Sequence, residues 1–160
     1  MPHNIEASPP APSPVVEFAQ HVGRLHTLLD RVVVSAVTGF GLSRGEFDVL
    51  VALAARPEGI RPGQLSEGLL LTTGGLSNIL RRLQRDGLIE RLLETSDRRG
   101  RSIHLTDAGW AMARETTVVV YAGIERLLES IDASSLGEAN AHLHSVLSHL
   151  GEDAPVHRLQ

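Results

Sequence analysis

Six side chains between Thr73 and Arg85 could read a DNA duplex: Thr73, Ser77, Asn78, Arg81, Arg82 and Arg85. Asn bonds an adenine edge bidentately and Arg a guanine edge. Asn78 and Arg81 are therefore the candidates for base contacts. Thr73 and Ser77 carry hydroxyls that suit base edges or phosphate. Arg82 and Arg85 lie to the flank and further along, where phosphate is the expected partner. A second basic group follows at Arg98, Arg99 and Arg101, beside the carboxylate of Asp97. A short basic loop of this kind can enter a minor groove or grip the backbone.

The elements that must position these groups are legible from spacing. Leu76, Ile79, Leu80 and Leu83 recur at i, i+3, i+4 and i+7, which makes one buried helical face. At about 100° per residue, Gly74, Asn78, Arg81 and Arg85 fall opposite, with Ser77 and Arg82 beside them. A turn at Asp86-Gly87 leads into a β-like run, Leu88 to Glu94. A polar tip, Thr95 to Arg101, returns through Ser102 to Leu105, and a helix begins at Thr106. A short helix from Arg61-Pro62, the arginine-bearing helix and this hairpin make a winged helix-turn-helix. The expected fold is mainly α with a small β-hairpin wing, flanked by N- and C-terminal dimerisation helices.

The run Asp97-Arg98-Arg99-Gly100-Arg101-Ser102-Ile103-His104-Leu105-Thr106-Asp107-Ala108-Gly109 resembles the wing and following helix start of MarR-type regulators (multiple antibiotic resistance regulators). Leu42-Ser43 through Leu53, Leu65 through Leu83, and Gly87-Leu88-Ile89-Glu90-Arg91 are similar to the preceding parts of that family. The resemblance covers about residues 15–150. It implies a dimeric transcription factor, often released from DNA by a small ligand. It also implies that an arginine at the place of Arg99 reaches toward DNA and that Asp97 helps to hold it. By the same resemblance, a ligand pocket lies between the dimer helices and the winged motif, with His26, Phe47, Leu50, Trp110 and Arg114 as candidate walls. Trp110 reads more readily as a packing anchor where the wing joins its helix than as a ligand wall.

The chain has 160 residues and only 3% aromatics, so one domain with an aliphatic core is expected. No apolar run approaches the ~18 residues of a membrane span. The proline-rich start lacks the basic lead and apolar core of a signal peptide, so the expected compartment is the cytoplasm. There is no cysteine, which excludes disulfides and thiol sensing within this chain. The net charge of −4 conceals a division. Residues 61–101 hold eight arginines against five acids, and the rest of the chain holds seven against fourteen. A basic patch on an acidic body suits a duplex-reading surface. Every Lys/Arg position is Arg; the lack of lysine is better read as codon bias than as chemistry.

Residues 1–14 read as a proline-rich tail, 15–150 as the MarR-like domain and 151–160 as a second tail. Within the domain, 42–105 is the winged motif, and 15–38 and 106–150 are the dimerisation helices. Ser13-Pro14 is a helix start. Ser43-Arg44-Gly45-Glu46 is a capping box, as is Ser135-Leu136-Gly137-Glu138. Thr72 and Thr106 are expected caps, and the helix after Thr106 is expected to reach about Ile131. Gly74 and Gly75 fit either close approach of backbone to phosphate or a tolerant first turn. The terminal helices carry apolar stripes, Phe18, Val22, Leu25 and Leu29 in one and Leu143, Val146, Leu147 and Leu150 in the other. They would pack on a second copy and set two recognition helices about one DNA turn apart, roughly 34–36 Å.

Eight histidines invite a metal hypothesis. However, His142, His144 and His149 miss the i, i+4 pairing that helical zinc sites use, and His21 and His26 are also poorly spaced. No phosphate loop or nucleophile elbow is present, so no enzyme is expected. The expected partners are double-stranded DNA with a pseudo-palindromic operator, a second copy of the chain and a small-molecule effector. No cofactor, metal or membrane is expected. A repressor released by a ligand leads; a metal-responsive regulator and a winged-helix interaction module without DNA binding stay open.

Overall fold

The computed structural model describes residues 13–69, 71–93 and 101–152. Its elements run α1 (Pro14–Thr38), α2 (Arg44–Ala54), α3 (Pro62–Gly68), α4 (Thr73–Arg85), β1 (Ile89–Leu93), β2 (Arg101–Leu105), α5 (Asp107–Leu128) and α6 (Ala133–His149). Both expected tails lie almost wholly outside the described residues.

Helix starts follow the capping chemistry. Ser13 Oγ accepts from the Val16 amide, and Pro14 supplies the fixed φ of a first helical residue. At α2 the box is complete: the Glu46 amide donates to Ser43 Oγ, and the Ser43 amide donates to Glu46 Oε2 at 2.7 Å. Thr72 caps α4 through the Gly75 amide, and Thr106 caps α5 through the Gly109 amide. The last helix corrects the sequence reading. It begins not at Ser135 but three residues earlier, capped by Asp132, whose carboxylate accepts from the Ser135 amide at 2.9 Å and from Ser135 Oγ at 2.7 Å. A carboxylate at a helix N-terminus gains from the helix dipole as well as from the hydrogen bond, so it outcompetes the hydroxyl. Likewise α5 ends at Leu128, short of Ile131.

β1 and β2 pair antiparallel, from Ile89 opposite Leu105 to Leu93 opposite Arg101. Arg101 therefore belongs to a strand rather than to the tip. Ile60, between α2 and α3, adds a short bridge on the other side of β2: it exchanges backbone hydrogen bonds with Ile103 at 3.1 and 2.9 Å. Gly59, at φ +87°, makes room for this, because a Cβ there would collide with the His104 ring.

The core is aliphatic. It joins Val33 and Val37 of α1, Phe47, Val49, Leu50 and Leu53 of α2, Leu65, then Leu76, Leu80 and Leu83 of α4, Ile89, Ile103, and Ala113 and Val120 of α5. α5 packs on α1 and α2, and so ties the winged motif to the long first helix. The joint at its start is close. Thr106 Oγ1 donates to the Gly87 carbonyl, and a Cβ on Gly109 would lie 2.0 Å from the Leu88 carbonyl oxygen.

No residue of α6 is buried, and the first half of α1 is equally open. Phe18, Val22 and Leu25 on α1, Val118, Val119 and Tyr121 on α5, and Val146, Leu147 and Leu150 near the C-terminus are all exposed. Apolar stripes on three helices thus remain uncovered in a single chain. No helix among the described residues is long and apolar enough to cross a membrane.

Candidate nucleic-acid interface

The recognition helix is sharply two-sided. Leu76, Leu80 and Leu83 are at most 3% exposed. Thr73, Ser77, Asn78, Arg81, Arg82 and Arg85 are all exposed, as their spacing predicted. Two hollows lie against the helix. One is walled by Asn78, Arg81, Arg82 and Arg85. The other has Thr73 and Ser77 on one side and Pro62, Ser66 and Arg91 on the other. Arg91, on β1, is the exposed cation that the reading of the recognition helix alone did not include; its place in the hairpin next to that helix was the available signal.

The exposed polar groups are not equally free. Arg81 Nη1 donates to Asn78 Oδ1 at 2.9 Å, one helical turn apart. This braces both side chains in the middle of the helix and leaves the remaining Arg81 donors and the Asn78 amide hydrogens for a partner. Arg85 Nε donates to Asp86 Oδ1 at 2.9 Å, and a second, longer contact of 3.3 Å joins its Nη2 to the other oxygen. The hydrogen bond to Asp86, with the carboxylate charge behind it, raises the Arg85 pKa. The same hydrogen bond holds the Asp86 carboxyl below its usual range. Both side chains are exposed, so this pair is labile. Arg82 differs: its Nε lies 3.0 Å from Oε1 of Glu46, which is only 2% exposed. The expected phosphate contact of Arg82 thus competes with a carboxylate that the sequence reading treated only as part of a cap.

At the start of α4, Gly75 sits directly under its cap, where an added Cβ would lie 3.1 Å from Thr72 Oγ1. Gly74 faces open space. A bare backbone is therefore presented at the N-terminal turn. Arg101 is exposed on β2 at the base of the wing. Asp97, Arg98 and Arg99 lie outside the described residues.

The proposed ligand walls are not gathered into one cavity. Leu50 is fully buried in the core and offers no surface to a ligand, because it lies on the core-facing side of α2. His26 and Arg114 are exposed, and Trp110 is half-buried against the core. Phe47 alone borders a cleft of about 330 Å³ between α2 and α3, shared with Val51, Ile60, Leu65 and Leu69 and rimmed by Asp48, Arg56 and Gln64. Among the described residues, no group of three or more His, Asp or Glu side chains converges as a metal site would require.

Residues 40–100 match the family model described as the MarR family. The HTH-type transcriptional regulator PecS of Dickeya dadantii is 31% identical over 128 residues, spanning 79% of this chain and 75% of PecS. The chain belongs to the MarR family. The HTH-type transcriptional repressor YetL of Bacillus subtilis is 29% identical over 103 residues, which cover 64% of this chain and 62% of YetL. A mutant MarR from E. coli, solved in complex with operator DNA, shares the fold at a TM-score of 0.73 and 23% identity, covering 83% of this chain and 95% of MarR. The protein is thus a MarR-family winged helix-turn-helix transcriptional regulator, and α3, α4 and the β1–β2 hairpin make up its winged motif.

Proposed function

We propose that two copies of this chain bind a pseudo-palindromic operator as a repressor in the cytoplasm, that a small effector releases them, and that the chain has no catalytic role. The observation that carries this reading is α4: three buried leucines on one side and an outward row of Asn78, Arg81 and Arg85 on the other. A helix so divided can fill a major groove while its inner face stays in the core. The operator complex of MarR supports binding to duplex DNA, and the repressor designation of YetL supports the direction of the effect. The exposed apolar stripes of α1, α5 and α6 support pairing of two chains, since faces of this extent mark interfaces.

For the effector, the α2–α3 cleft offers an apolar floor with an exposed arginine, Arg56, at its rim. It suits a compact amphipathic molecule, and an anionic group would find its counter-charge at Arg56. Selection of bound duplexes from a random pool tests the regulator reading. Enrichment of a two-fold symmetric sequence, with half-site centres about 10 bp apart, is expected. Failure to bind any duplex in a salt-dependent manner would leave the interaction-module reading in its place.

A further inference from the structure

The first turn of α2 touches two other helices, α1 and α4, through three successive residues. Arg44 holds α1, with Nη1 paired to Asp30, while its Nε bonds both carboxylate oxygens of Asp48. Gly45 lies against α4, so that a Cβ there would be 2.8 Å from Cδ1 of Ile79. Glu46 reaches α4 one turn further along, through Arg82. Its carboxylate is divided between two tasks: Oε2 accepts from the Ser43 amide at 2.7 Å and from Ser43 Oγ at 2.8 Å, while Oε1 faces Arg82 Nε at 3.0 Å. Ser43 thus fixes Glu46, and Glu46 fixes Arg82. A buried carboxylate with all its bonds made is a rigid anchor, whereas an exposed arginine without one would sample many rotamers.

We infer that Arg82 is a positioning residue rather than a DNA contact: through Glu46 it sets the tilt of the recognition helix against the dimerisation frame. The inference rests on the regulator reading above. With the brace intact, the two recognition helices of a dimer are held at one separation and one angle, and the operator spacing is read as sharply as the base edges. Without it, α4 keeps its leucine face but can rock about the contact of Gly45 with Ile79. Specificity is lost before affinity for DNA in general. Bare electrostatics gives the opposite sign for Glu46, because removing a carboxylate near a polyanion should tighten binding.

The test uses full-length wild type, Arg82→Gln, Glu46→Gln and the double variant, each checked for folding and dimer formation. Affinity is measured over a salt series for a selected operator, the same operator with one base pair inserted between half-sites, and an unrelated duplex. Each single variant should weaken operator binding about tenfold, and the double variant should be no worse than the weaker single, as for two residues in one interaction. The variants should also lose most of the penalty for the inserted base pair. The salt slope of Arg82→Gln should match wild type, because that slope counts phosphate contacts. A slope shallower by about 0.9 in Arg82→Gln, with equal loss on operator and unrelated duplex and no loss in Glu46→Gln, would show that Arg82 grips phosphate and would overturn the inference. Wild-type spacing preference in both single variants would overturn it too. Should Glu46→Gln not fold, the slope and spacing response of the surface variant Arg82→Gln decide alone. If wild type binds no duplex, it is the regulator reading that fails.

Discussion

Among the residues of the recognition surface, pairing decides how each arginine can be used. Arg81 is braced by Asn78 but keeps donors free, so it fits direct readout of a base. Arg81→Ala should cost about 1–3 kcal/mol of operator binding and relax base choice at one position per half-site. Asn78→Ala should relax the same position, since it removes the brace. A footprint or selection in which the two variants blur different positions would separate their roles. Arg85 is held by Asp86 in the free protein, and that bond must open before phosphate can take its place. Asp86→Asn should therefore tighten binding to every duplex and steepen the salt slope by up to about 0.9, the increment for one phosphate. Unchanged or weaker binding would mean that the pair orients Arg85 toward DNA instead of withholding it. The types and faces of these residues were legible in the sequence. The partner of Arg82 was not, because Glu46 lies far away in sequence and only the packing of α2 on α4 brings the two together.

Element boundaries show where local chemistry suffices and where it does not. Ser13, Ser43, Thr72 and Thr106 cap their helices as their spacing predicts. Asp132 took the place expected for Ser135 because two acceptable caps lay three residues apart, and a local pattern does not rank them by charge. The Ile60 bridge was illegible for a related reason: one residue makes no periodicity, and its partner lies on β2. The Asp132 cap has a pH signature. Its hydrogen bonds from Ser135 hold the carboxyl below the usual range. A depressed folded-state pKa gives stability that is complete above the unfolded value, about 4, and is lost as pH falls through the folded one. Amide exchange at Ser135 should therefore accelerate below about pH 4 beyond its intrinsic rate. Asp132→Ala should show weak protection at every pH. Equal protection in variant and wild type would remove Asp132 as the cap. Gly74 offers a further test at the head of α4. Alanine there meets only open space and should stabilise the helix by up to about 1 kcal/mol. If backbone approaches phosphate at this turn, Gly74→Ala should nevertheless weaken DNA binding; if operator affinity is unchanged, the glycine is merely tolerated.

Across the whole molecule, two halves meet at a joint with little slack. Gly109 lets α5 start directly on the Leu88 carbonyl, and Gly109→Ala should destabilise the fold by about 1–3 kcal/mol, measured by denaturant unfolding, because the clash is with backbone. The frame above that joint is unfinished in one chain. Replacing Leu143 and Leu147 together by Glu should give monomers or insoluble protein by light scattering. A stable dimer from that double variant would remove α6 from the interface.

The lack of any buried residue in α6 carries a further consequence for dosage. An isolated helix of about this length is marginal in water. If α6 packs on a second copy, as proposed above, it would gain its order from the encounter of two chains, and a dilute pool of single chains would have neither a finished fold nor two reading heads at a fixed distance. While single chains predominate, the concentration of pairs grows as the square of the amount of protein made. Halving synthesis would then cut pairing about fourfold by mass action. Gene control by such a protein answers to its own abundance with a threshold, before any effector is considered.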